Sequence, residues 1–344
     1  MGRVRGRSLG FMGSVWISAF GVATALLGLL VATATAAKSW PDGVERIEIR
    51  SSLDGSIQPA MFAMPERSTG SARPLLVALH SWSSGYDQPL SALWAQEARS
   101  RNWVFIHPDF RGANTNPQAG GSETAIRDVL DAVDEARRRA KVDPRRIYLA
   151  GYSGGGHAAL LVASKSSEIW AAVSVWSPIT DLLAWHRESE ARGFDRYVGD
   201  IEAICGGVPA PGSRAEQECF RRSPLSFLTA MKGLPLDLNT GIRDGHAPRV
   251  ESGTVPISHT IRAFNLLADP RDRVPFGLLS ALESEARVPA AQAFLGTDRS
   301  YGAHRVLFRR SSGPVRLTLF DGDHEVVHPA AVAWLERHQR AERR

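Results

Sequence analysis

Apolar positions along the chain fall into two kinds of pattern. Short runs of strand character occupy 74–80 (PLLVALH), 103–107 (WVFIH), 146–150 (RIYLA), 170–177 (WAAVSVWS), 235–240 (PLDLNT) and 315–320 (VRLTLF). Runs of this length without a polar face describe strands covered on both sides. Between them lie stretches of helical spacing. In 123–140, Ile126, Val129, Leu130 and Val133 recur at i, i+3, i+4 and i+7, and the arginines gather at the C-terminal end, where the helix dipole favours cations. Helices are also expected over 90–101, after Gly155, over 255–268 and over 330–340.

Before the first continuous run, residues 44–51 alternate like a half-exposed edge strand, Leu53 to Ser56 turn the chain, and 57–65 return antiparallel. The reading is therefore an α/β fold: a mostly parallel central sheet flanked by helices, with right-handed crossovers, opened by an antiparallel pair. Two regions break the rhythm. Residues 178–234 carry charged runs, both cysteines and a Pro/Gly-rich middle, too long an excursion for a plain loop, and are read as an inserted cap over the active site, with a surface decoration as the alternative. Residues 269–313 are less regular. Their Arg271, Asp272, Arg273, Asp298, Arg299 and Tyr301 are read as solvated in preference to lining a substrate mouth.

The N-terminus belongs to neither pattern. Arg3, Arg5 and Arg7 precede an apolar run over 11–31, and small residues fill 32–37. This is the layout of a secretory signal peptide cleaved near Ala36 or Ala37, leaving one domain over 38–344. An uncleaved anchor is the rival, since 11–31 is long enough to span a bilayer. Without the leader the formal charge of +5 falls to +2 (5 − 3), so the balance gives no reason to expect a nucleic-acid partner, and no later stretch is apolar enough to span a membrane. The expected location is secreted or periplasmic. Export also changes how Cys205 and Cys219 are read: an oxidising compartment allows a local disulfide between them, and neither has a partner at zinc-ligand spacing.

The candidate chemistry centres on 146–164, RIYLAGYSGGGHAALLVAS. Strand character runs into Gly151-Tyr152-Ser153-Gly154-Gly155, and helical character follows. This is the G-x-S-x-G turn that lifts a serine hydroxyl clear of its neighbours, in a strained backbone that side chains at Gly151 and Gly155 would crowd. Ser153 is the expected nucleophile, and the helix start behind it points N–H groups at a developing oxyanion. Asp244 follows the run at 235–240, and His324 follows the run at 315–320, both just past the C-terminal ends of expected strands. In an open parallel sheet those ends converge on one edge, so Ser153, Asp244 and His324 can form a triad.

Other residues compete less well. Asp181 is the rival acid. Asp321 and Asp323 lie too close in sequence to His324 to partner it. His157 is read as a packing residue and His80 as a strand-end hydrogen-bonder, while His246 and His259 are kept as low-weight substrate contacts.

At these residues the chain resembles an α/β-hydrolase and, within that fold, the catalytic domain of the prolyl oligopeptidase family. The resemblance rests on DGSIQPAMFAMP, the HSW turn at 80–82, VDPRRIYLAGYSGGGHAALL, RSPL at 222–225, RDG around Asp244 and DGDHE around His324. It implies a Ser-His-Asp hydrolase with no cofactor and no metal. The family's oxyanion loop runs His-Gly followed by further glycines. Here Ser81 and Trp82 stand in their place, and the donors are expected to be the N–H groups of Trp82 and Gly154. The family's peptidases usually carry a β-propeller ahead of this domain, and 38–73 is too short to hold one. The expectation is accordingly a carboxylic-ester hydrolase, with acylated polysaccharide as a candidate substrate. A serine peptidase acting on small peptides is the alternative, and an inactive binding scaffold is the rival from another class.

Overall fold

A computed structural model of the chain describes residues 40–65, 70–246 and 255–341. The leader and the anchor alternative both lie outside the described residues. In chain order the elements are β1 (Val44–Arg50), β2 (Ile57–Ala63), β3 (Arg73–Leu79), α1 (Ala92–Ser100), β4 (Val104–Pro108), α2 (Glu123–Arg139), β5 (Val142–Tyr152), α3 (Gly154–Lys165) and β6 (Ala172–Trp176). There follow α4 (Leu182–Ala191), α5 (Asp195–Cys205), α6 (Arg214–Arg221), β7 (Leu236–Gly241), α7 (Ile257–Leu267), α8 (Phe276–Glu285), β8 (Val306–Ser312), β9 (Val315–Phe320) and α9 (His328–Leu335).

The strands form one sheet in the order β1-β2-β4-β3-β5-β6-β7-β9-β8. Every pairing from β4 through β9 is parallel, and the antiparallel pairings are confined to β1, β2 and β8 at the margins. The continuous apolar runs split by parity. Leu75, Val77 and Leu79 of β3 join Leu149, Val175, Leu238 and Leu317 on one face, beneath α2, α3, α7 and α8. Leu76 and Ala78 join Tyr148, Ala150, Trp176 and Phe320 on the other, against Trp94 of α1 and Trp334 of α9. A strand buried on both faces has no polar alternation to display. At the outer margins the pattern differs: β1 exposes Glu45, Arg46, Glu48 and Arg50, while β8 carries Arg309 and Arg310.

The capping chemistry explains several boundaries. Ser122 accepts the Ala125 N–H at the start of α2, which ends in Arg137, Arg138 and Arg139. Gly206, left-handed at φ 81°, closes α5.

The sheet differs from the expectation at two places. The elbow strand begins at Val142, ahead of Pro144 rather than after it, because Arg73 pairs with Val142 before the register shifts. Residues 269–313 are also more ordered than read. They contain α8 and the strand β8, which turns back on β9 through Gly313 at φ 55°. Tyr301 is not solvated: it is fully buried, packs on Trp176 and Phe320, and donates its hydroxyl to Asn239 Oδ1 at 2.6 Å. Asp298 pairs with Arg309 at 2.9 Å, and Asp272 accepts from Ser312 Oγ at 2.8 Å.

Residues 178–234 fold as α4, α5 and α6 with a small apolar core of their own, built from Ile179, Leu182, Trp185, Ile201, Ile204, Cys205, Ala215 and Cys219. Cys205 and Cys219 are joined in a disulfide that ties α5 to α6. Trp82, from the loop after β3, is part of the same cluster. Among the described residues no helix is long and apolar enough to cross a membrane.

Two outcomes are expected. Reducing the Cys205–Cys219 bond should lower unfolding stability by about 3 kcal/mol, read by urea titration with and without dithiothreitol. The second concerns His157, wholly buried in α3, whose Nε2 donates to the Arg222 carbonyl at 2.8 Å while Nδ1 has no hydrogen-bond partner among the described residues. Burial, the largest cause, holds its pKa down at about 4, below the ordinary 6.5. The unfolded chain therefore binds the proton more readily between these values, so this contribution is complete above pH 6.5 and is lost as pH falls toward 4. The urea midpoint should drop between pH 7 and pH 5, by on the order of 1 kcal/mol of stability per pH unit for this group, and drop less in His157→Gln.

Candidate active site

The C-terminal ends of β3, β5, β7 and β9 lie along one edge of the sheet, and each leads into a loop carrying a candidate residue. At the end of β5 the chain reverses into α3 at Ser153, whose φ of 56° and ψ of −121° lie outside the usual region for a side-chain-bearing residue. The glycines make that turn sterically feasible. A Cβ on Gly151 would stand 2.1 Å from the Gly155 carbonyl oxygen, and one on Gly155 would stand 2.3 Å from that of Leu79. The Ser153 N–H donates to the Trp176 carbonyl at 2.8 Å, pinning the turn to the end of β6.

His324 lies between the other two candidates. Its Nε2 is 2.9 Å from Ser153 Oγ and its Nδ1 is 2.8 Å from Asp244 Oδ2. Asp244 is buried, and its second oxygen faces the Val255 N–H at 3.4 Å. This arrangement gives the hydroxyl a base within hydrogen-bond reach and gives the base an anion to fix its orientation.

Close approach of the two loops sets the spacing. A Cβ on Gly241, the last residue of β7, would lie 2.2 Å from the Asp323 carbonyl oxygen, so only glycine lets the histidine loop sit this low. Arg243 bridges the same loops, binding Asp321 and, at 2.9 Å, Asp323. Those two acids are thus engaged by Arg243. The Tyr152 hydroxyl, pushed up by burial, donates to the His324 carbonyl at 2.7 Å, and its ring leans on the imidazole with centroids 4.9 Å apart.

The loop after β3 brings Trp82 against the start of α3. A Cβ on Gly154 would lie 2.4 Å from the N and Cα of Trp82, so the two backbones are in contact beside Ser153. His80 braces this loop, with Nδ1 3.0 Å from the Ser81 carbonyl, Nε2 2.6 Å from that of Asp109, and its ring stacked on Phe110 at 3.9 Å.

The remaining candidates are engaged elsewhere. Asp181 accepts the N–H groups of Leu183 and Ala184 as the N-cap of α4, which takes it out of contention as the acid. His259 is fully buried, with Nδ1 3.1 Å from the Thr180 N–H and Nε2 2.9 Å from Glu188, so it cannot contact a substrate as the sequence allowed. His246 lines a cavity of about 270 Å³ with Glu188, Arg192 and Arg262, on the side of Asp244. Among the described residues no cluster of three or more His, Cys, Asp or Glu is arranged to hold a metal. Sequence reasoning missed Tyr152 and Arg243 as supports, although both sit inside quoted motifs. It also missed Asp200 of α5, whose Oδ2 accepts from the Trp82 indole N–H at 3.1 Å and which no local pattern marks.

The model of the prolyl oligopeptidase family matches residues 94–244. Among solved structures, a puromycin-hydrolyzing peptidase from Mycobacterium tuberculosis is similar at 19% identity and a TM-score of 0.54, over 67% of this chain and 34% of that one. An acylaminoacyl peptidase in complex with a chloromethyl ketone is similar at 20% identity and a TM-score of 0.50, over 65% of this chain and 34% of that one. A thermophilic carboxylesterase cloned from a metagenomic library is matched at 21% identity and a TM-score of 0.47, over 61% of this chain and 73% of that one. This chain thus spans about a third of the length of the two peptidases. No curated protein matches.

Replacing Gly241 by alanine is expected to displace the 322–324 turn, because the new methyl meets backbone and not a mobile side chain. A misplacement on the scale of 1 Å should lower turnover of an activated ester by about 100-fold. A larger effect on kcat than on the urea midpoint is the expected readout.

Proposed function

We propose that this chain, which has the α/β-hydrolase fold and resembles the catalytic domain of the prolyl oligopeptidase family, is a serine hydrolase that transfers an acyl group from a carboxylic ester to water. The observation that carries the proposal is the unbroken relay Asp244–His324–Ser153 at 2.8 and 2.9 Å. In this reading Ser153 Oγ attacks the ester carbonyl while His324 Nε2 takes the hydroxyl proton. Asp244 holds the imidazole with its proton on Nδ1 and stabilises the imidazolium. The tetrahedral oxyanion accepts hydrogen bonds from the N–H groups of Gly154 and Trp82. Collapse expels the alcohol, which leaves with the proton carried by His324. Water then attacks the acyl-serine, giving one proton to Nε2, and the acid departs as Ser153 recovers its hydrogen.

The preference for esters draws on what lies beside the serine. Tyr152, next to Ser153 in the chain, and Tyr197 are half-buried, and Tyr197 packs on Trp185, which packs on Trp82, with centroids 5.1 and 4.8 Å apart. Half-buried rings such as Tyr152 and Tyr197 suit an acyl chain, whereas an extended peptide needs polar partners for its backbone. Acylated polysaccharide remains our candidate for the physiological substrate. The second reading, a serine peptidase acting on small peptides, draws on the family match. Export, to the cell exterior or periplasm, draws on the leader pattern of 1–37 and on the Cys205–Cys219 disulfide. The helices of 178–234, which cluster with Trp82, are proposed as the cap of the site.

A fluorophosphonate probe is expected to label the wild-type protein and not Ser153→Ala; absence of labelling in folded wild type favours a binding scaffold. Asp244→Asn should lower kcat by about 10⁴-fold. Short p-nitrophenyl esters should be turned over faster than aminoacyl or prolyl p-nitroanilides; fast anilide cleavage with negligible ester turnover would reverse the ranking of substrates.

A further inference from the structure

Trp82 is held from three directions. Its backbone lies against Gly154, where there is no room for a methyl group. Its carbonyl accepts from the Asn114 N–H at 2.9 Å. Its indole, almost wholly buried, meets the edge of Trp185 at a centroid distance of 4.8 Å and donates its N–H to Asp200 Oδ2 at 3.1 Å. Asp200 itself is buried in α5, one and a half turns before Cys205, where the disulfide fastens that helix to α6.

The contact with Gly154 stops Trp82 moving toward α3, but contact alone does not stop it moving away. The Asn114 bond restrains the backbone carbonyl, and the directional bond to Asp200 adds a restraint through the side chain. It is also a bond with a cost if left unmade, since a buried carboxylate without its donor loses its hydration and receives nothing in return. An oxyanion donor contributes only if its N–H sits within a few tenths of an ångström of the right place.

We propose that Asp200 is a positioning residue for hydrolysis: through the Trp82 indole, it holds the Trp82 N–H at the oxyanion site, so the inserted helices help to set the rate as well as covering the site. This rests on the reading of Trp82 as an oxyanion donor. Asp200 touches neither substrate nor the reacting atoms; it acts by fixing a residue 118 positions away in the chain.

The test compares Asp200→Leu, which removes the acceptor, with Asp200→Asn, which keeps an amide oxygen in its place. Readouts are kcat and KM on p-nitrophenyl butyrate, the inhibition constant of a trifluoromethyl ketone, the rate of Ser153 phosphonylation by a fluorophosphonate, and the urea midpoint. Asp200→Leu should lower kcat and the phosphonylation rate by about 10- to 100-fold and weaken the ketone to match, with KM within about twofold of wild type. Asp200→Asn should recover most of the loss. Trp82→Phe, which deletes the indole N–H, should resemble Asp200→Leu, and the double variant should be no slower than either single one. A folded Asp200→Leu with wild-type kcat and ketone affinity overturns the proposal. So does a loss that asparagine fails to repair while both variants share the same lowered urea midpoint, since that pattern belongs to a purely structural residue. A wild type inert to the ester and to the fluorophosphonate overturns the underlying hydrolase reading and this proposal together. If wild type is active while these variants behave like it, only the role of Asp200 fails.

Discussion

Backbone-to-backbone contact at distances no side chain would tolerate holds the site together. Gly151 and Gly155 let β5 fold back onto α3 at Ser153, Gly154 admits the backbone of Trp82, and Gly241 admits the loop that carries His324. Each contact is made by main chain: β5 against the start of α3, α3 against the end of β3 and the loop beyond it, and β7 against the loop after β9. The left-handed φ at Ser153 is the local cost, and it is offset by the Trp176 carbonyl and by the packing of α3 against the sheet.

That rigidity has a counterpart in the supports around His324. An imidazole is a more effective base when its tautomer and plane are fixed, and here three groups act on it or on its loop. Asp244 holds Nδ1, Tyr152 holds the backbone carbonyl, and Arg243 bridges to the neighbouring acids. Arg243 is immediately before Asp244, so the same short turn delivers both the carboxylate and the clamp on the opposite loop. A parallel sheet makes this economical, because neighbouring strands present all their C-terminal ends on the same side.

How far the sequence could be read depended on whether a feature was local. β3, β4 and β6 show as nearly unbroken apolar runs because each is covered twice, and α2 shows by its 3.6-residue spacing and its arginine-rich end. The strand leading to Ser153, the helix behind it, and the positions of Asp244 and His324 after their strands were legible for the same reason. By contrast β8 was hidden, since an edge strand reading VLFRRSS has neither a continuous apolar run nor clean alternation. Tyr301 was misread because it sits among charged residues in sequence and among aromatic ones in space. Asp181 and His259 looked available for chemistry until the N-cap of α4 and the ion pair with Glu188 were visible. Asp200 carries no local signal at all, because its partner comes from a loop in another part of the fold.

The two outermost strands carry a different implication. β1 alternates Glu45, Arg46, Glu48 and Arg50 with its buried isoleucines, and β8 bears Arg309 and Arg310. A strand from a neighbouring molecule that tried to extend β1 would have to strip water from these exposed charges before gaining its first ladder hydrogen bond, whereas Arg309 of β8 is already paired with Asp298. Lateral growth of the sheet is thus discouraged at the β1 margin.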